Sequence, residues 1–309
     1  MNVKLQLVLF SILTSLNSLS FAVDNGTWTY DINSDEVSVT LTGCSNDDCP
    51  KDVTIPSSID GLSVTKIGDQ AFYRIRTLGK LETVVIADSV VSIGSAAFAQ
   101  SALKIVVIGN GVEVIGDNAF VGNDLNYITI PDSVQIIGAS AFQQNISLTT
   151  LTLGSGVKTI QEQAFHGCDL KNINIPNSVE SIGDYAFHTQ RHGLESVTMD
   201  HGPKQIGLGA FRGNELTSLV IGDAVEEIGE QAFYDNKLSS LIIGKSLQTI
   251  EINAFANNEL TSLDLGESTS AIKRSAFANN QLEELNITSN IREIGDSAFA
   301  DNPLQRLSF

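Results

Sequence analysis

The chain has 309 residues, 42% of them hydrophobic, and a formal net charge of -18 at pH 7. That apolar fraction excludes wholesale disorder, and the excess of carboxylates argues against nucleic acid or an anionic lipid surface as a partner. Such a surface favours solubility or a cationic partner.

Residues 1–22 read as a secretory signal. Lys4 precedes an apolar run from Leu5 to Leu16, and Ser20 and Ala22 supply the small residues of a cleavage site. Cleavage after Ala22 removes the one cation Lys4 and no acid, taking the formal charge from -18 to -19. No later stretch approaches the roughly 20 apolar residues of a membrane helix. The sequence therefore predicts an exported protein, secreted, periplasmic or held at the cell surface, with no membrane insertion.

Residues 23–52 read as an amino-terminal cap. Thr27 to Ile32 and Val37 to Leu41 alternate around Asn33 to Glu36, the pattern of a β-hairpin. Cys44 and Cys49 are close enough to close a small disulfide loop, worth about 2 kcal/mol by chain entropy. A zinc site would need two more soft ligands nearby, and none is in sequence reach.

From residue 53 onward the chain repeats. An Ala-Phe pair recurs eleven times, with phenylalanines at 72, 98, 120, 142, 165, 187, 211, 233, 255, 277 and 299, and an isoleucine stands five residues before each. Nine of the ten spacings are 22 to 24 residues. Between the pairs runs L-x-x-[LIV]-x-[LIMF], as in Leu125 to Ile130 and Leu260 to Leu265, whose closing alternation predicts a short strand with one face inward. The segment before each Ala-Phe, such as Val225 to Gly229, predicts a second extended side, and Ala-Phe itself a tight or helical turn. A coil of this length cannot bury its own apolar face, so successive coils must stack about 4.8 Å apart, giving a rod or arc roughly 50 Å long. One phenylalanine per coil in fixed register reads as an internal ladder rather than a cofactor surface. Asparagine three residues later (Asn123, Asn145, Asn214, Asn236, Asn258, Asn280, Asn302) reads as a buried amide serving the backbone, with Cys168 a small buried substitute at the same place.

The strand block with its asparagine or cysteine position resembles a leucine-rich repeat, and I-G-x-x-A-F at a 22 to 23 residue period resembles the BspA-like subclass of bacterial and protist surface proteins, over about residues 53–309. The resemblance implies a repeat solenoid of about eleven coils with a parallel β-sheet on one face and short strands and turns elsewhere. It also implies an extracellular or surface location and, for some members, adhesion to host matrix proteins or other cells. It transfers no ligand and no cofactor. The last residues, Leu304 to Phe309, read as the first strand of a coil that is not completed, so a carboxy-terminal cap is expected to be absent. That end would either self-associate or continue in a longer protein.

The outward columns of the leucine strands are the expected binding surface. Val85, Ile105, Val107 and Tyr127 make its early end apolar, and Thr129, Thr150 and Thr152 continue it with hydroxyls. Val220 and Ile242 form a second apolar spot, and Glu283 and Glu284 acidify the late end. A long face of this kind suits an extracellular protein or glycan better than a small molecule in a pocket. A spacer without its own ligand is the alternative. No nucleophile with a positioned histidine, no carboxylate pair in apolar surroundings and no phosphate loop stands where the repeat does not already explain the residues, so an enzyme is not expected. His166 and His188 each follow a ladder phenylalanine and could hold a divalent metal together with His192, although a mobile polar insertion accounts for the same residues.

Overall fold

In each coil a three-residue strand turns its middle side chain inward, because side chains alternate along a strand. Thr150–Thr152 buries Leu151, Asn172–Asn174 buries Ile173 and Ser218–Val220 buries Leu219. After a turn, a two-residue strand places an isoleucine inside, as in Thr159–Ile160, Ser181–Ile182 and Gln205–Ile206. Equivalent residues of successive coils pair in parallel, Ser181 with Gln205 and Ile182 with Ile206, so one inward column runs through the whole stack. The computed structural model describes residues 23–45, 49–74, 81–189 and 193–308, and the signal reading of residues 1–22 lies outside them. It is a parallel β-solenoid of about twelve coils.

The two strand columns behave differently. The isoleucine strands form one continuous sheet of 15 strands that begins in the amino-terminal hairpin, whereas the leucine strands divide into separate sheets of three, four, two and two strands. Trp28–Ile32 and Ser38–Cys44 pair antiparallel, and Ser38–Cys44 then pairs in parallel with Leu62–Ile67, so the hairpin lies over the first coil. Tyr30 is buried there and its hydroxyl donates to Asp60 Oδ2 at 2.7 Å, while Trp28 packs partly buried against the core.

The strand expected at Ser262 to Asp264 does not form. The Gly266 N–H donates to Asp264 Oδ1 at 3.0 Å, with Gly266 at φ 69°, and the chain turns before it can pair.

At the third corner the phenylalanine rings stack from Phe72 to Phe299 with centroids 4.9 to 5.6 Å apart and planes within 10° of parallel. The corner is a turn and not helical. The residue two before each phenylalanine is left-handed in all eleven coils, from Gln70 (φ 56°) and Ala96 (φ 52°) to Ser297 (φ 57°), and only Gly209 among the eleven is glycine. A left-handed L-residue costs about 1–2 kcal/mol, and the neighbouring coil offsets that cost. Three N–H groups per corner point forward onto carbonyls of the next coil: Gln163 onto Asp184 at 2.8 Å, Phe165 onto Ala186 at 2.8 Å and Gly167 onto His188 at 3.0 Å. Ala96→Gly removes only a methyl at such a position. It is expected to raise stability by about 0.5–1 kcal/mol, measured by chemical denaturation.

Candidate binding face and the other sites

Val85, Ile105 and Val107 lie in the three-stranded leucine sheet, with Val85 paired to Val107 and Ile105 to Thr83. Tyr127, Thr129, Thr150 and Thr152 lie in the adjoining four-stranded sheet, Tyr127 paired to Thr150 and Thr129 to Thr152. All seven point outward. Ile105 is 37% exposed, Val107 50% and Tyr127 48%, while Val85, flanked by Thr54 and Val107, is half-buried. Lys51 and Lys104 edge this end through Glu82 at 3.0 and 3.3 Å, and the Lys51 bond, then Lys104, holds the Glu82 carboxyl below its usual range.

Further along, the polar column is occupied with itself. Ser196 Oγ donates to Asn172 Oδ1 at 2.6 Å and Thr198 Oγ1 to Asn174 Oδ1 at 2.8 Å. Val220 and Ile242 pair directly and are 53% and 57% exposed, forming a second, smaller apolar spot. At the late end Glu284 is paired to Arg306 at 2.6 Å.

Cys44 and Cys49 are joined, with their Cα atoms 5.4 Å apart. Cys168 is a buried free thiol whose Sγ–H donates to the Phe142 carbonyl at 3.3 Å, and burial pushes its pKa up to about 12, which leaves it little thiolate character. Its presence in the asparagine column has a local reason. Elsewhere the asparagine Oδ1 accepts the N–H of a leucine in the preceding coil, but the preceding coil here is one residue longer and the Leu148 N–H bonds the Asn145 carbonyl at 3.0 Å instead.

His166 and His188 come together, ring centroids 5.1 Å apart, and His192 lies outside the described residues. His188 Nδ1 is 2.8 Å from the Arg212 carbonyl and so carries its proton toward that oxygen, while His166 Nδ1 is buried without a partner. Desolvation, then His188, lowers the His166 pKa. Among the described residues no group of three or more His, Cys, Asp or Glu side chains is arranged to hold a metal ion. No helix of the described residues is long and apolar enough to cross a membrane.

The isoleucine sheet has an outward face too, and over it runs a groove of about 1290 Å³ from Ala139 to Ser268. Leucine-strand alternation gives no sign of this face. The available signal was the exchange of the usual glycine after isoleucine for Gln161, Glu251 and Lys273.

Coils of this composition, stacked in register around a phenylalanine ladder, define a leucine-rich repeat protein. Residues 65–192 and 189–305 match the BspA type leucine-rich repeat region, in six copies, and the chain belongs to that family. Among solved structures it is similar to the pneumococcal vaccine antigen PcpA (22% identity, TM-score 0.62, covering 94% of this chain and 82% of that one). It is similar also to a leucine-rich repeat protein from Bacteroides ovatus (24%, TM-score 0.51, 92% of each) and to the leucine-rich repeat protein of T. pallidum (23%, TM-score 0.52, 70% and 89%). At these identities the likeness is one of fold. A comparison with curated proteins found no match.

Proposed function

We propose that this protein is exported, with cleavage after Ala22, and that it is a binding module recognising an extracellular protein through the early end of its leucine-strand face. The observation that carries the reading is the contiguous exposure of Ile105, Val107 and Tyr127 beside Val85. The repeat requires apolar residues at inward positions and leaves these outward ones free to be polar. Apolar side chains gathered on an exposed sheet mark contact surfaces, and an aromatic that loses its water on binding is a frequent anchor of affinity. The polar middle of the face, where hydroxyls and amides already satisfy one another, offers less to a partner.

The test compares the wild type with a Val107→Ser, Tyr127→Ser variant of unchanged melting temperature, on immobilised extracellular matrix proteins and on surface glycans. Binding to a protein that weakens at least about tenfold in the variant, a loss of about 1.4 kcal/mol, supports the reading. Equal binding by both forms places the contact elsewhere. Binding to glycans alone changes the partner class, and binding to nothing on either panel favours a spacer.

A further inference from the structure

We infer that the groove on the isoleucine sheet is a second binding surface, shaped and charged for an extended, positively charged polypeptide segment. It lies on a different sheet from the face described under Proposed function and does not depend on that reading.

The isoleucine strands form the uninterrupted sheet, and the groove runs over its outward face. Its floor is the outward position after each isoleucine. In three successive coils that position is Gly183, Gly207 and Gly229, and in the coils on either side it is Gln161 and Glu251. That column carries no side chain between its two ends, while Ser181, Gln205 and Glu227, the outward residues before the isoleucines, stand beside it. Four coil steps of about 4.8 Å separate the two ends, roughly 19 Å, the length of an extended segment of about six residues.

The charge is one-sided. Glu162, Asp184, Glu226, Glu227 and Glu251 line the trough, and among the described residues none of the five is in a direct ion pair, with Lys273 of the next coil within electrostatic reach of Glu251. The one cation in the lining, Lys245, is held by Asp223 at 3.1 Å, and Lys158 and Lys204 precede the trough strands and stand outside the lining. Some acids outside the trough are ion-paired: Glu82 by Lys51 and Lys104, Glu215 by Lys237, Glu293 by Lys273 and Glu284 by Arg306. Unmatched carboxylates within about a Debye length (~8 Å) of one another attract a cation together.

The arrangement also selects the kind of cation. No three carboxylates converge to hold a metal ion among the described residues, and no aromatic ring lines the trough for a sugar to stack on. An extended polypeptide presents alternate side chains on one face about 6.7 Å apart, so lysines or arginines at every second position reach carboxylates spread over successive coils. Strand edges are not available within this sheet, because each interior strand is paired on both sides. The trough therefore reads side chains and adds no strand.

The experiment measures fluorescence anisotropy of a short labelled peptide of alternating lysine and threonine against the full exported chain, with a glutamate-threonine peptide as control. Expected are binding that weakens with salt, no binding of the acidic peptide, and about tenfold weaker binding by a Glu162→Gln, Glu227→Gln, Glu251→Gln variant. The Val107→Ser, Tyr127→Ser variant should bind the basic peptide as the wild type does, which separates this surface from the leucine face. Equal affinity of wild type and the triple variant, or equal binding of the acidic peptide, would overturn the proposal. So would capture of a cationic amino-sugar polymer with no binding of the basic peptide.

Discussion

Replacing Phe233 with alanine is expected to lower the free energy of unfolding by about 3–5 kcal/mol, against a change within about 0.5 kcal/mol for Ser240→Ala. Phe233 is fully buried, 5.3 Å from the Phe211 ring and 5.4 Å from Phe255, with planes 4° and 1° from parallel. Its removal opens a cavity between two rings that the backbone cannot bring together, because the coil spacing is fixed by hydrogen bonds such as Phe233 N–H to the Ala254 carbonyl at 2.9 Å. The loss is therefore the transfer free energy of the ring plus an uncollapsed void. In a repeat array each coil is stabilised mainly by its two neighbours, so both interfaces of this coil weaken together. Ser240 points outward from the strand Ser240–Ile242 and fills no such space. Chemical denaturation of the two variants decides the matter: equal small effects would mean that the phenylalanine corner does not carry the stack.

How much of this was legible in the sequence depends on whether a position is fixed by burial or by geometry. The inward columns were legible because burial admits few residue types: Phe233, Ile228 and Leu241 each recur in kind in almost every coil. The left-handed corners were not. Gln70, Ala96, Asn118, Ser140 and Tyr185 share no side-chain chemistry, and what holds them is a carbonyl from the next coil rather than anything in their own identity. The missing strand at Asp264 depended on one local hydrogen bond to Gly266 that the repeat pattern masks. Of the candidate binding residues, alternation gave the outward direction of Ile105, Val107 and Tyr127 but not the half-burial of Val85 between Thr54 and Val107. The trough was the least legible feature, since alternation in the leucine strands says nothing of the outward face of the isoleucine sheet.

Asn236→Ala is expected to cost about 1–3 kcal/mol, although it removes only an amide. The side chain is buried and joins backbone groups of two coils. Its Nδ2 donates to the Phe211 carbonyl at 3.0 Å and the Phe233 carbonyl at 3.2 Å, and its Oδ1 accepts the Leu216 N–H at 3.2 Å. Alanine leaves the Leu216 N–H without a partner in a place water reaches poorly, while the Phe211 and Phe233 carbonyls keep Asn214 Nδ2 at 2.9 Å and Asn258 Nδ2 at 3.0 Å, and a buried orphaned group costs about 1–3 kcal/mol. Asn236→Asp keeps the acceptor but sets a carboxylate against two carbonyl oxygens, so it is expected to be no better tolerated. Asn126, exposed and without a side-chain hydrogen bond, is the control, and Asn126→Ala should change stability by less than about 0.5 kcal/mol. Amide hydrogen exchange adds a local readout: in Asn236→Ala the Leu216 N–H should lose protection, while the Leu238 N–H, held by Asn258 Oδ1 at 3.0 Å, should keep more of its own. If Asn236→Ala costs no more than Asn126→Ala, the amide ladder is not what satisfies the backbone at this corner, and the stack rests on the phenylalanines alone.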